Sequence, residues 1–258
     1  YELGLSEPGD ASHRERAARF ADLMIGEANY DADHRVFRSP FPSAVGPLRQ
    51  AGDGYAKGSD VDFAQSFLTP YYGSDRGMVA MRASLYPLVE ELEENWAVDA
   101  QRRQQILELF DDVILRGDVP TNLTAAGLVT HAFLFTGEDR YRSWVLDYAQ
   151  AWIERIRDNG GMLPDNVGPT GRIGEQRRGQ WWGGLYGWTS RWAGDIDFGG
   201  LTVAAECAVL LSGDTSYLEL LRAPLLARFE RARTTAAGQL EFPKRIGPDG
   251  WIEWEPPR

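Results

Sequence analysis

The sequence has few residues of the kinds that carry metal, redox or thiol chemistry. It contains one cysteine, Cys207, and three histidines. A single cysteine excludes an intrachain disulfide and a zinc site made of several thiolates. The phosphate-binding loop, the Rossmann glycine fingerprint, the nucleophile elbow and the His-Glu-x-x-His motif are all missing. The sequence therefore predicts no metal and no cofactor.

Long apolar runs and an excess of basic residues are also missing. No apolar stretch approaches the roughly 18 residues typical of a membrane span. The 27 basic and 38 acidic residues give a net charge of -11, and they are spread along the chain. Because nucleic acids and anionic membranes attract clustered Lys and Arg, we expect neither as a partner.

The length and the composition are sufficient for a buried core. With 258 residues and 43% hydrophobic residues, we expect a single domain over residues 1–258. The chain starts at Tyr1 without a signal peptide, and its abrupt ends fit a piece of a longer polypeptide, whose other segment is a candidate partner. The location stays open, with a secreted or periplasmic protein favoured over a cytoplasmic one. The sequence does not indicate an oligomeric state.

Local patterns predict several elements. Apolar residues at helical spacing behind cap residues predict helices over Ser12–Glu27, Asp75–Asn95 and Asp99–Arg116. Residues 29–70 are rich in Pro, Gly and Asp, which predicts a long loop excursion with one short strand near Arg35–Phe37.

An internal repeat is the most useful indication of the fold. Leu123–Arg157 aligns without gaps on Gly199–Arg233, so that Gly137 matches Gly213. Each copy reads as an apolar helix rich in small residues, a Gly turn and a longer amphipathic helix. The first helix of each pair is apolar nearly all round, so we expect it inside, with the second helix outside.

Repeated helical hairpins whose first members line an interior form an α/α toroid. We therefore predict an all-α fold, an (α/α) toroid or partial toroid with long Gly/Trp-rich loops and a few short strands, including a β-hairpin around Pro248-Asp249-Gly250. Connections from an outer helix to the next inner helix open at one mouth of such a fold. Arg116–Leu123 and Gly161–Gly200 are both connections of this kind, and their shared mouth is the predicted site.

The segment Gly161–Gly200 has an unusual composition. It is too aromatic for a solvated linker and too rich in glycine for a regular helix or strand. Long loops of this kind are commonly functional. Flat aromatic faces beside carboxylates suit a sugar ring, which has apolar faces and a rim of hydroxyls. The alternative is that the tryptophans fill the protein's own core while the glycines let the chain turn.

The hairpin repeat, the turn Thr136–Tyr141 and the loop "PDNVGPTGRIGE…WWGGLYGW" together resemble those of the α/α-toroid carbohydrate enzymes. These are the six-hairpin glycosidases and the toroidal polysaccharide lyases. The resemblance is architectural and covers roughly Asp75 to Pro243. It implies a toroid that acts on a poly- or oligosaccharide, and it assigns no catalytic role to any particular residue.

Glycoside hydrolysis needs one protonated and one ionised carboxyl group, about 5 Å apart for retention and about 6.5 to 9.5 Å apart for inversion. Asp195 and Asp197 are the first candidates, in an extended stretch just before an inner helix that starts near Gly199. Asp165 and Glu175 in the same loop are next. The alternative for the first pair is that one caps the helix and the other binds an arginine.

Elimination instead needs a base and a group that neutralises a uronate carboxylate. Tyr186 and His131 are the candidate bases, and Arg172, Arg177 and Asn122 are the candidate neutralising groups. A hydrogen-bonded core position is the alternative for His131, and helix capping is the alternative for Asn122.

The predicted substrate contacts are four loop tryptophans together with amide and arginine side chains: Trp181, Trp182, Trp188, Trp192, Asn122, Asn166, Arg172 and Arg177. The sequence thus predicts an enzyme that cleaves glycosidic bonds, with hydrolysis by paired carboxylates ahead of β-elimination on uronic acids. A third alternative is a helical scaffold that binds sugar without catalysis.

Overall fold

The computed structural model describes residues 11–40, 42, 99–113, 115–184, 187–189, 193–247 and 249–257, with only the backbone at some helical positions, among them 193–197. Its helices are α1 (Ala11–Ile25), α2 (Ala100–Val113), α3 (Ala125–Thr136), α4 (Asp139–Asp158), α5 (Ala193–Ser212) and α6 (Glu219–Glu230). Its strands are β1 (Tyr30–Asp31), β2 (Val36–Phe37), β3 (Arg233–Thr234), β4 (Leu240–Gly247) and β5 (Gly250–Glu255). Short 3-10 turns cover Pro120–Thr124, Glu175–Arg177 and Thr215–Leu218.

The Gly turn of the repeat is confirmed in both copies. Gly137 and Gly213 follow helices α3 and α5 with φ values of 70° and 74°. Their amides donate hydrogen bonds to the carbonyl oxygens of Phe133 and Val209, each at 2.8 Å. Because a Cβ is strained in this left-handed conformation, glycine is the residue suited to ending both helices.

Helix α4 lies deep in the protein instead of on its outside. Its buried residues include large aromatic side chains: Tyr141, Trp144, Val145, Tyr148, Ala149, Ala151, Trp152, Arg155 and Ile156. On α3, by contrast, Leu128 is 44% exposed and Leu134 is 55% exposed. The predicted arrangement of an inner first helix and an outer second helix is therefore wrong for this pair. The aromatic face of α4 carries more apolar area than the small-residue face of α3, and its burial is worth more.

Two antiparallel sheets accompany the helices. Strands β1 and β2 form one, and strands β3, β4 and β5 form the other in that order. The hairpin predicted at Pro248-Asp249-Gly250 is confirmed, since Gly247 pairs with Gly250. The predicted all-α toroid is wrong, because after α6 the chain continues as a three-stranded sheet rather than as another helical hairpin. The fold belongs to the mixed α and β class.

The small β1–β2 hairpin covers the aromatic face of α4. The Tyr30 ring packs edge-on against Trp144, with centroids 5.2 Å apart, and against Tyr148 at 5.8 Å. Phe37 packs edge-on against Tyr148 at 5.5 Å. These buried rings belong to one hydrophobic cluster that continues through α3 and α5 to Ile246 in β4. These contacts fix the β1–β2 hairpin beside the Arg116–Leu123 connection.

The other local predictions have mixed outcomes. Helices α1 and α2 confirm the predictions for Ser12–Glu27 and Asp99–Arg116, and β2 confirms the strand near Arg35–Phe37. The predicted helix Asp75–Asn95 and most of the excursion over residues 29–70 lie outside the described residues. Within the described part of the chain, no helix combines the length and apolarity that a membrane crossing requires.

Candidate functional site

Three chain segments meet at one edge of the helices. The Asp118 amide donates to the Val167 carbonyl at 2.7 Å, and the Val167 amide donates back at 2.9 Å. Val167 also pairs with Ile173. The Gly117 amide donates to the Arg38 carbonyl at 3.0 Å, which adds the segment after β2. The Arg116–Leu123 connection thus lies beside the Trp-rich loop, the segment Gly161–Gly200, but the toroid mouth at which both were predicted to open does not exist in this fold.

The Asp118 carboxylate is the centre of the first half of this site. Its side chain is buried and accepts hydrogen bonds from β2, from its own segment and from α4. The donors are the Tyr148 hydroxyl (2.9 Å to Oδ2), the Asn122 amide (2.9 Å to Oδ1), and the backbone amides of Phe37 (3.1 Å) and Val119 (2.9 Å). Asn122 therefore binds Asp118 and the Ser39 carbonyl (3.1 Å), and its amide is occupied inside the protein.

Burial controls the protonation of this carboxyl group. Removal from water raises the pKa of Asp118 to about 6, against the lowering effects of the Arg155 charge and of the hydrogen bonds from Asn122, Phe37 and Tyr148. Burial also lowers the pKa of Arg155, which donates to the carbonyls of His34 and Arg35 at 3.1 and 2.8 Å. The site thus contains a carboxyl group that changes its charge between mildly acidic and neutral pH.

Asp165 is the centre of the second half of the site, and it lies in the early part of the Trp-rich loop. Its side chain is fully buried. It accepts hydrogen bonds from the backbone amides of Gly183 (3.0 Å), Gly184 (2.7 Å) and Trp188 (2.7 Å), and from the Asn166 side chain (3.2 Å). Burial raises the pKa of Asp165, while these amides and the Arg177 charge act to lower it. The predicted catalytic carboxylate Asp165 is consequently enclosed by the loop's own backbone.

Trp188 is part of the protein core. It is 1% exposed, and its indole nitrogen donates to the Leu163 carbonyl at 2.7 Å. Its ring packs edge-on against Trp251 of β5 at 5.7 Å and against Trp181 at 6.3 Å. The alternative that loop tryptophans fill the core therefore describes Trp188, whose faces are covered by protein.

Trp181 and Trp182 occupy a different position in the same loop. Both are half-buried and pack against the core from its edge. The Trp181 carbonyl accepts a hydrogen bond from the Asp165 amide at 3.0 Å, and the Trp182 carbonyl accepts one from the Gln180 side chain at 2.9 Å. Asn166 donates to the Gln180 carbonyl at 3.1 Å. The backbone that carries the two adjacent indoles is thus fixed, and each of the two residues keeps part of its surface exposed.

Arg172 and Glu175 lie on either side of Ile173, in the turn that follows Val167. Glu175 accepts hydrogen bonds from the Thr170 amide (2.9 Å) and from the exposed Arg172 side chain (3.2 Å). Partial burial acts to raise the pKa of Glu175, but the hydrogen bonds from Thr170 and Arg172 are together stronger, so the pKa is lowered. Glu175 is therefore ionised at neutral pH and suits the role of a base more than that of an acid.

Arg177 is buried beneath this turn. One of its terminal nitrogens donates to the Val113 carbonyl at 3.3 Å, while Nε and Nη1 meet no hydrogen-bond acceptor among the described residues. Burial lowers the pKa of Arg177 to about 10, and the Asp165 charge acts in the opposite direction. Arg177 compensates the buried charge of Asp165 from within the protein.

Asp195 and Asp197 lie within the first turns of α5, which begins at Ala193. The prediction of an extended stretch there is wrong, because a helix forms six residues before the expected start near Gly199. In a helix, residues two apart do not share a face. The side chains of Asp195 and Asp197, together with Tyr186 and Trp192, lie outside the description.

The described ring contact of His131 is with a residue of its own helix and not with the Trp-rich loop. His131 lies in the middle of α3, where its ring packs against Phe135 at 4.7 Å. Partial burial of the imidazole disfavours its charged form and lowers the pKa of His131.

Asp118 and Tyr148 were not among the residues predicted from the sequence. The signal for Asp118 was its place in the Arg116–Leu123 connection, which was expected at the mouth, together with Asn122 four residues later. Tyr148 had no comparable signal, because it reads as one more aromatic residue on the apolar face of a helix. Among the described residues, no cluster of His, Cys, Asp and Glu side chains is arranged to hold a metal ion.

Comparison with known proteins identifies a family but no characterised relative. No curated protein matches the chain, and no solved structure matches it. Residues 1–256 match the model of the family described as domain of unknown function (DUF8034). That match covers nearly the whole sequence, and the chain therefore belongs to this family.

Proposed function

We propose that the protein binds a poly- or oligosaccharide at the Trp-rich loop and hydrolyses its glycosidic bonds. The observation that carries this proposal is the pair Trp181 and Trp182. Both residues are half-buried, and their backbone carbonyls accept hydrogen bonds from Asp165 and Gln180. Two rigid indoles beside amide side chains match the apolar faces and hydroxyl rim of a sugar. Preorganised aromatic groups bind at a low cost in conformational entropy.

The position of the acidic residues supports hydrolysis. Glu175 has a lowered pKa on the turn of the same loop, so it is available as an ionised group. Asp195 and Asp197 lie at the start of α5, the helix that directly follows the loop. A glycosidase needs one ionised and one protonated carboxyl group on opposite sides of the scissile bond. We assign these two roles to two of the three residues Glu175, Asp195 and Asp197.

The test is a screen of the purified protein against neutral and uronic acid polysaccharides. Reducing ends and the ultraviolet absorbance of unsaturated uronates are read together. Hydrolysis produces reducing ends alone, whereas elimination also raises the absorbance. On a substrate that is cleaved, Glu175→Gln, Asp195→Asn and Asp197→Asn are compared with Glu206→Gln, an exposed carboxylate on α5. Full turnover by all three site variants contradicts the assignment.

A second candidate is sugar binding without catalysis. It is favoured by the fact that the oxygens of Asp165 and Glu175 already accept hydrogen bonds from protein groups. This function requires saturable binding that depends on Trp181 or Trp182, with no new reducing ends. The same screen distinguishes the two candidates.

A further inference from the structure

The Asp165 carboxylate joins two separate stretches of the Trp-rich loop. Oδ1 accepts from Gly184, and Oδ2 accepts from Gly183 and Trp188. The Asp165 backbone amide donates to the carbonyl of Trp181, so one residue fixes the chain on both sides of Trp182.

We propose that Asp165 is a positioning residue, whose buried carboxylate holds the backbone amides of Gly183, Gly184 and Trp188 and thereby sets the two indoles of Trp181 and Trp182 for a saccharide. This inference rests on the proposed sugar-binding function and reassigns Asp165 from the chemistry to the support of the binding surface. Asp165 is 0% exposed, so it acts on a saccharide only through the loop.

The glycines around Asp165 show how closely the loop is fitted to it. A Cβ at Gly184 would overlap the Asp165 carbonyl oxygen, and a Cβ at Gly187 would overlap the Asp165 carboxylate. Neither position has a positive φ, so the close approach to Asp165 is what requires glycine here. The glycines at positions 184 and 187 of the pattern "WWGGLYGW" therefore let the backbone approach one carboxylate closely.

An amide cannot replace this carboxylate. Asp165 accepts from four N–H groups, and an asparagine offers one oxygen to them while its NH2 group faces further donors. Unpaired buried amides are costly, so the loop has to move to regain partners. Asp165→Asn changes no volume, which makes it a test of hydrogen bonding and charge alone.

The experiment compares Asp165→Asn and Gly184→Ala with wild type and with Gly199→Ala, a control in α5 where an added Cβ meets nothing within 4 Å. The Kd for cellohexaose and for hexagalacturonate is measured by calorimetry well below each variant's Tm. We expect both site variants to raise the Kd about tenfold to a hundredfold, because a small displacement of a binding group is sufficient for that loss. Gly199→Ala keeps the wild-type Kd.

Two results would overturn the inference. If folded Asp165→Asn and Gly184→Ala bind with the wild-type Kd and only their Tm falls, Asp165 merely stabilises the fold. If wild type binds neither hexasaccharide, the proposed function fails. The near-ultraviolet circular dichroism of the indoles then tests separately whether Asp165 positions the loop. Loss of that signal in both variants with intact helices supports positioning, and an unchanged signal refutes it.

Discussion

Asp118 gives the protein a pH-dependent stability. Because burial raises the pKa of Asp118 from 3.8 to about 6, the folded state holds this proton when the unfolded chain has released it. The contribution of Asp118 is therefore fully present below pH 4 and is lost as the pH rises through 6. We expect this group to lower the free energy of unfolding by about 2 to 3 kcal/mol between pH 4 and pH 7.

Urea unfolding of wild type and Asp118→Asn at both pH values measures this effect. Asn cannot ionise, so the stability change between pH 4 and pH 7 should differ between the two proteins by about 2 to 3 kcal/mol. Identical pH dependence in both proteins would show that Asp118 does not titrate in this range.

At single positions, the sequence identified residue types better than residue roles. The tryptophans of the loop were recognisable, but only packing divides Trp188, which is in the core, from Trp181 and Trp182 at its edge. Likewise, Asp165 reads as one more loop acid until its backbone donors are known. Burial and hydrogen bonding depend on contacts distant in sequence, and local composition does not contain them.

The pairing of Asp118 with Val167 depends on the neighbouring Gly117. Gly117 has a φ of 91°, and an added Cβ would overlap the Val167 carbonyl oxygen. Gly213 also has a positive φ, 74°, but a Cβ there meets nothing within 4 Å. We expect Gly213→Ala to cost about 1 kcal/mol from backbone strain alone, and Gly117→Ala to cost at least about 2 kcal/mol more.

Thermal and urea unfolding of the two variants provide the measurement. The glycine at 213 serves as the matched control, since it shares the left-handed backbone without the close neighbour. Equal losses for Gly117→Ala and Gly213→Ala would mean that the pairing with Val167 adds nothing to stability.

Helices and turns were largely predictable because their signals are local. The apolar period and the Gly turns located α3 to α6 and the left-handed glycines that end two of them. The start of α5 was placed too late, because Gly199 and Gly200 read as a boundary. Gly200 lies inside α5 and close to the Pro120 carbonyl, so close packing rather than a turn explains why a glycine occupies this position.

The C-terminal sheet stabilises the loop from the opposite side. Trp251 of β5 packs edge-on against Trp188, and the Ile246 amide of β4 donates to the Trp188 carbonyl at 3.0 Å. We expect Trp251→Ala to lower the free energy of unfolding by about 2 to 3 kcal/mol and to weaken saccharide binding, because Trp181 loses a neighbour. Chemical denaturation and calorimetry provide both numbers.

Trp254→Ala is the control on the same strand. Its ring contacts the Arg233 guanidinium at 4.2 Å rather than the loop, so we expect a loss below about 1 kcal/mol and unchanged binding. If the two variants behave alike, the sheet does not support the loop.

The fold class was the part that the repeat could not predict. Two homologous helical hairpins indicate an array, but they do not say whether the next element is another hairpin. The tail after residue 232 forms β3, β4 and β5, and the aromatic face of α4 turns inward to meet the β1–β2 hairpin. Both features arise from pairings between distant segments, whose energies a local period does not record.

We propose that Trp181 and Trp182 form a saccharide-binding surface, and a calorimetric titration of cellohexaose and hexagalacturonate into wild type, Trp182→Ala and Trp254→Ala tests this proposal. We expect wild type and Trp254→Ala to bind one of these probes with equal Kd. Trp182→Ala should bind about 30-fold more weakly, as expected for the loss of an aromatic contact worth about 2 kcal/mol. Absence of binding by folded wild type, or equal binding by all three proteins, would contradict it.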